Sequence, residues 1–105
     1  MAITRNFKET IQARALHDAE FREGLLRESI ENMISGDTET GKLLLRDYIN
    51  ATMGFEELGN LTSKSPKSLM RMFSAIGNPT ANNLFNILHI IQRKEGVSFQ
   101  VKPVH

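Results

Sequence analysis

Apolar residues recur along this chain every three or four positions, the spacing of a single helix face. Phe7, Ile11 and Leu16 mark a short amphipathic helix over residues 5–16. Asp18 is placed to cap a second helix, with Phe21, Leu25, Ile30, Met33 and Ile34 as its buried stripe. Arg22, Glu23, Arg27, Glu28 and Glu31 fill its opposite face, and Gly36 is a natural stop. Asp37 or Thr38 caps the next helix, where Glu39 sits in the first turn and suits the helix dipole. Its stripe is Leu43, Leu44, Tyr48 and Ile49, with Arg46 and Asp47 outside and Gly54 closing it.

Two short helices follow, over residues 55–61 and 65–73. Gly77-Asn78-Pro79-Thr80 then reads as a turn, with Asn78 as cap and Pro79 at the first helical position. Leu84, Phe85, Leu88 and Ile91 carry the helical spacing to Lys94, and Gly96 ends it. Only residues 97–101 change period. Val97, Phe99 and Val101 alternate with Ser98 and Gln100, a strand pattern that Pro103 stops. A lone strand needs a partner, either an extended segment such as Ala2-Ile3-Thr4 or the same strand of a second subunit. The pattern therefore predicts an all-α fold with an N-terminal helical extension over residues 1–36. A second unit, residues 37–105, carries the short C-terminal strand.

Within that second unit, residues 54–74 have the residue types of a helix-turn-helix. Gly59 supplies the small side chain where the second helix crosses the first, and Leu58, Leu61, Leu69 and Met72 seal the corner. Ser65 and Pro66 give the second helix a firm start as cap and first residue. Lys67 and Arg71, four apart, then share one face, and Ser68 lies between them. The first turns of such a helix reach base edges in a major groove. Two positions depart from the usual pattern. Ser63 stands at the turn position that favours glycine, and Lys64 replaces an apolar residue. A serine in left-handed backbone costs about 1 kcal/mol relative to glycine. Lys64 is free to turn outward toward phosphate.

Charge strengthens this picture. The 105-residue chain has a net charge of only +1, yet no Asp or Glu lies between Leu58 and Lys94. Lys64, Lys67, Arg71, Arg93 and Lys94 all fall in that stretch, whereas most of the acids crowd the first half. One-sided basicity is what phosphate neutralisation requires.

The remaining composition narrows the function classes. With no cysteine there is neither a disulfide framework nor a thiolate site, and the expected compartment is the cytoplasm. No apolar run approaches a membrane span, and the first ten residues lack the core of a signal peptide. His17, His89 and His105 lack metal-ligand spacing, and His89, among Leu88, Ile90 and Ile91, reads as a semi-buried structural histidine. No carboxylate pair stands beside a nucleophile or glycine-rich loop, and Met70 and Met72 read as packing residues. No enzyme, cofactor or metal is expected.

With its flanks included, the motif resembles the addiction-module antidote proteins. The residues that carry the likeness are Gly54-Phe55, the helix-turn-helix itself, Gly77-Asn78-Pro79-Thr80 and the helix starting Ala81-Asn82-Asn83-Leu84. These proteins are small antitoxin-like transcriptional regulators with a Cro-type (XRE-like) helix-turn-helix. The likeness spans residues 43–101 and extends more loosely into 20–42. It implies a lambda-repressor-like bundle of about five helices in which the second and third read DNA. It also implies a DNA-facing set of Lys64, Ser65, Pro66, Lys67, Ser68 and Arg71, with backbone contacts from Asn78 and Thr80. The resemblance further implies a homodimer on a double-stranded operator overlapping its own promoter, and a ribonuclease-like toxin as protein partner. The alternative function is a protein-interaction module of the same fold that neutralises a partner without binding an operator. The N-terminal helices are then either an arm for toxin or dimer contact, or an extension that completes the core.

Overall fold

The computed structural model describes residues 13, 14 and 17–105. The helix expected over residues 5–16 and the Ala2-Ile3-Thr4 segment lie outside these, apart from Ala13 and Arg14, which are helical. Five helices follow: α1 (Ala19–Ile34), α2 (Thr38–Ala51), α3 (Gly54–Thr62), α4 (Pro66–Met72) and α5 (Ala81–Glu95).

Local chemistry sets most of the boundaries. Asp18 accepts from the Phe21 N–H at 3.1 Å and Asp37 from that of Thr40 at 3.1 Å, each satisfying a donor that a helix start leaves unpaired. The Asp37 carboxyl is held below its ordinary pKa by hydrogen bonding from the Thr40 side chain and then from the Thr40 N–H. The start of α5 differs from expectation. Thr80, not Asn78, is the cap, accepting from the Asn83 N–H at 3.1 Å, and the helix begins at Ala81. Pro79 stands before the cap, where its ring keeps Asn78 out of the helical region. Gly54 does not close α2, which ends at Ala51; it opens α3 instead.

The helices bury one continuous core. Leu26 of α1, Leu45, Tyr48 and Ile49 of α2, Phe55 and Leu58 of α3, Leu69 of α4 and Ile87, Leu88 and Ile91 of α5 are all buried. Leu26 and Ser29 lie inside, whereas Ile34 at the end of the same helix is exposed. Likewise Leu45 and Ile87 are buried while Leu43 and Phe85 face solvent. The turn at Gly36 separates α1 from α2 in sequence, but the core runs straight across it.

The contact between α1 and α2 is close because Gly41 has no side chain. A Cβ there would fall 2.4 Å from Met33 Cγ and 2.9 Å from the Ser29 carbonyl oxygen. The buried Ser29 hydroxyl donates to the Gly41 carbonyl at 2.8 Å, so the polar atom is satisfied where the helices meet. Glu95, in the last turn of α5, ties three helices together. It accepts from Arg22 Nε of α1 at 3.0 and 3.1 Å and from the Tyr48 hydroxyl of α2.

Residues 97–105 form no strand in the single chain, against the expected C-terminal strand. The Val97 N–H donates to the Gln92 carbonyl and the Phe99 N–H to Gln92 Oε1 at 2.9 Å, so this segment is tied to a helix. A strand is defined by its ladder, and no second extended segment lies beside it among the described residues.

Candidate nucleic-acid interface

The corner between α3 and α4 is built on a backbone contact. A Cβ on Gly59 would lie 2.6 Å from the Lys64 carbonyl oxygen and 3.5 Å from Pro66 Cδ. Only glycine lets the turn pass so close. Ser63 takes the left-handed conformation, φ 59° and ψ 35°, that its place in the turn predicts. The Lys64 N–H reaches back to the Gly59 carbonyl at 3.1 Å, closing the turn. We expect Gly59→Ala to destabilise the fold by about 1–3 kcal/mol, because the obstacle is backbone and cannot swing away. A urea titration checks this, and an unchanged midpoint would refute the reading of the corner.

Leu58 and Leu69 are fully buried, and Met72 is partly buried against the core they belong to. Leu61, expected among the sealing residues, is exposed instead. Phe55 and Phe73 are both buried, and their ring centroids stand 6.1 Å apart at a tilt of 46°. Phe55 opens the motif and Phe73 closes it, and that symmetric aromatic flank is the signal that sequence reasoning passed over.

Ser65 caps α4, accepting from the Ser68 N–H at 3.1 Å. Ser65, Lys67 and Arg71 are exposed, while Lys64, Pro66 and Ser68 are half-buried. Among the described residues, no acidic side chain pairs with Lys64, Lys67 or Arg71. Lys94 is different: Glu57 of α3 holds it at 2.6 Å. Glu57 is thereby engaged with α5, and the exposed cations beside the turn stay unneutralised.

Asn78 and Thr80 lie on the segment that leaves α4 and enters α5, and both are exposed. The backbone there folds tightly onto the end of α4, since a Cβ on Gly77 would sit 2.0 Å from the Arg71 carbonyl oxygen. Asn78 is thus carried next to the C-terminal end of α4. The Thr80 hydroxyl is occupied as acceptor for the Asn83 N–H but retains its own proton for donation.

A residue that the pattern did not flag fixes this segment. Lys42, on α2, is 7% exposed and donates to the carbonyl of Gly77 at 2.6 Å and of Ser74 at 3.2 Å. Glu39 lies 3.5 Å from the same ammonium. Lys42→Met keeps the length of the side chain and removes the donor, leaving two carbonyls short of a partner. The expected loss is about 1–3 kcal/mol, measurable as a lowered urea midpoint.

Other sequence expectations resolve simply. His89 is exposed rather than semi-buried, because α5 is rotated to bury Ile87, Leu88 and Ile91. Among the described residues, no group of His, Cys, Asp and Glu is arranged to hold a metal ion. No helix among them is long and apolar enough to cross a membrane. Among the described residues, the turn and the first turns of the short helix present hydroxyls and cations without acidic partners. Such groups bind phosphate and the acceptor edges of bases. Comparison with protein-family models, curated proteins and solved structures finds no match to this chain.

Proposed function

We propose that the protein is a sequence-specific, DNA-binding transcriptional regulator of the cytoplasm, with α3 and α4 as a lambda-repressor-like helix-turn-helix. The observation that carries this reading is the glycine-built α3–α4 corner, which projects Lys64, Lys67 and Arg71 without acidic partners among the described residues. In this reading α4 enters the major groove, Arg71 addresses a guanine, and Lys64 and Lys67 contact phosphates. Ser65, Pro66 and Ser68 line the approach, and Asn78 and Thr80 reach the backbone from the following segment. Two copies read the two halves of an operator. The antitoxin role, with repression of its own promoter and a toxin as partner, is supported by the resemblance of residues 43–101.

The test is selection of binding sites from random duplexes, followed by gel-shift titration of the selected site and the chain's own upstream DNA. Enrichment of a two-fold-related sequence supports the proposal. Recovery of no preferred sequence would refute it and favour the interaction module. The probe of that second reading is co-expression with the neighbouring reading frame, scored for rescue of growth.

A further inference from the structure

The solvent-facing side of α4 is not wholly polar. Lys67, Met70 and Arg71 are the exposed residues of this helix, whereas Leu69 is fully buried and Met72 is partly buried against the core. Met70, which the sequence pattern assigns to packing, is 50% exposed. At 3.6 residues per turn it stands about 60° round the helix from Lys67 and about 100° from Arg71. The thioether and the two cations therefore share one half of the helix surface. Neither cation has an acidic partner among the described residues, so this half stays positive and open toward a polyanion.

Methionine adds nothing to phosphate binding. Its side chain has no charge and no N–H or O–H donor, and its sulfur is a weak acceptor. What it offers is an unbranched, polarisable chain that adapts its shape to an apolar surface. The major groove presents one such surface, the C5 methyl of thymine. The other groups that distinguish base pairs there are hydrogen-bond donors and acceptors. A half-exposed methionine beside two cations that suit DNA matches that methyl and none of the polar groups.

We infer that Met70 is a specificity-determining residue of α4, packing its thioether on the C5 methyl of a thymine close to the guanine that Arg71 addresses. The inference rests on the proposed function for the groove and for the Arg71 contact. Neighbouring side chains on a helix about 10 Å across reach base pairs no more than about three steps apart, at about 3.4 Å per step. The recognised site therefore holds a thymine within about three base pairs of that guanine. One turn of helix then discriminates in two ways. Arg71 supplies hydrogen bonds, and Met70 supplies apolar contact that only a methylated pyrimidine returns.

Replacing thymine by deoxyuridine deletes the methyl and leaves every hydrogen-bonding group of the base in place. Gel-shift titration of the selected duplex, with each thymine replaced in turn, should find a position where wild-type binding weakens by about fourfold per methyl removed. Met70→Ala should bind the thymine and deoxyuridine duplexes alike, and Met70→Leu should keep most of the difference. Arg71→Ala identifies the guanine by its relaxed preference. Circular dichroism confirms that each variant retains its helices. Three results overturn the inference: no single deoxyuridine changes wild-type affinity by as much as about twofold, the effect persists in Met70→Ala, or the sensitive thymine lies more than about three base pairs from the guanine. Each of these comes from a protein that binds its selected duplex and leaves the proposed function standing. A chain that selects no duplex refutes both.

Discussion

Alanine at both Lys67 and Arg71 is expected to weaken binding to the selected duplex by about two to three orders of magnitude at fixed salt. The two side chains are exposed on a short helix and belong to no ion pair among the described residues, so their removal takes little from the fold. A bidentate arginine–guanine contact is worth about 1–3 kcal/mol of discrimination, and each lost phosphate contact lowers the salt slope by about one. The single variants should therefore differ in kind. Arg71→Ala relaxes preference at one base position, whereas Lys67→Ala weakens all sequences alike and flattens the salt dependence. Thermal unfolding of the double variant should match the wild type within about 2 °C, a shift of a few tenths of a kcal/mol. Undiminished binding by the double variant would remove α4 from the interface.

The largest effect on stability is expected at Glu95. Its carboxylate accepts from Arg22 and from the hydroxyl of the buried Tyr48, joining α5 to α1 and α2. Glu95→Ala deletes the shared acceptor and leaves the Tyr48 hydroxyl inside the fold without it. We expect a loss of about 3 kcal/mol, the lower end for breaking a buried pair, because Arg22 keeps some access to solvent. Against a typical total of about 5–15 kcal/mol that is a large fraction. Unfolding by urea at neutral pH measures it, and a change below about 1 kcal/mol would show that the triad contributes little.

The same group gives stability a pH dependence at both ends. Burial alone would raise the pKa of Glu95, but hydrogen bonds from Arg22 and Tyr48 outweigh burial and hold it below its ordinary value of 4.5. The unfolded chain therefore takes up this proton first. The stabilisation is present in full above the unfolded pKa and disappears as pH falls through the folded one. Burial, and then the bond to Glu95, raises Tyr48 well above its ordinary value of 10.0. The folded state holds that proton more tightly, so this contribution is present below pH 10.0 and declines as pH rises beyond it. Glu95→Gln should flatten the acid limb of a plot of unfolding free energy against pH.

What the sequence revealed follows from the range of each interaction. Caps act over three residues, so Asp18 and Ser65 could be read directly and Asp37 as one of two candidates with Thr38, as could the left-handed turn at Ser63. Stripe phase was harder. Ile34, Leu43 and Phe85 fit the helical spacing as well as Leu26, Leu45 and Ile87 do, and only packing against other helices chose between them. Arg22 and Glu95 stand 73 residues apart, and the partners of Lys42 are backbone carbonyls that carry no sequence signature. The cations and serine hydroxyls proposed to face DNA stand out in the sequence because they cluster within eight positions, from Lys64 to Arg71. The Phe55–Phe73 closure does not, because its rings come from opposite ends of the motif.

The Glu57–Lys94 ion pair bears on how such a protein would search a genome. It engages Lys94, whereas Lys64, Lys67 and Arg71 have no acidic partner among the described residues. Non-specific attraction grows with every phosphate neutralised, while discrimination grows with contacts to bases. In the proposed reading, a regulator that relies on these three cations would linger briefly on irrelevant DNA and leave it readily. Residence then depends on the bases that α4 meets, and on whether a second copy is held beside the first.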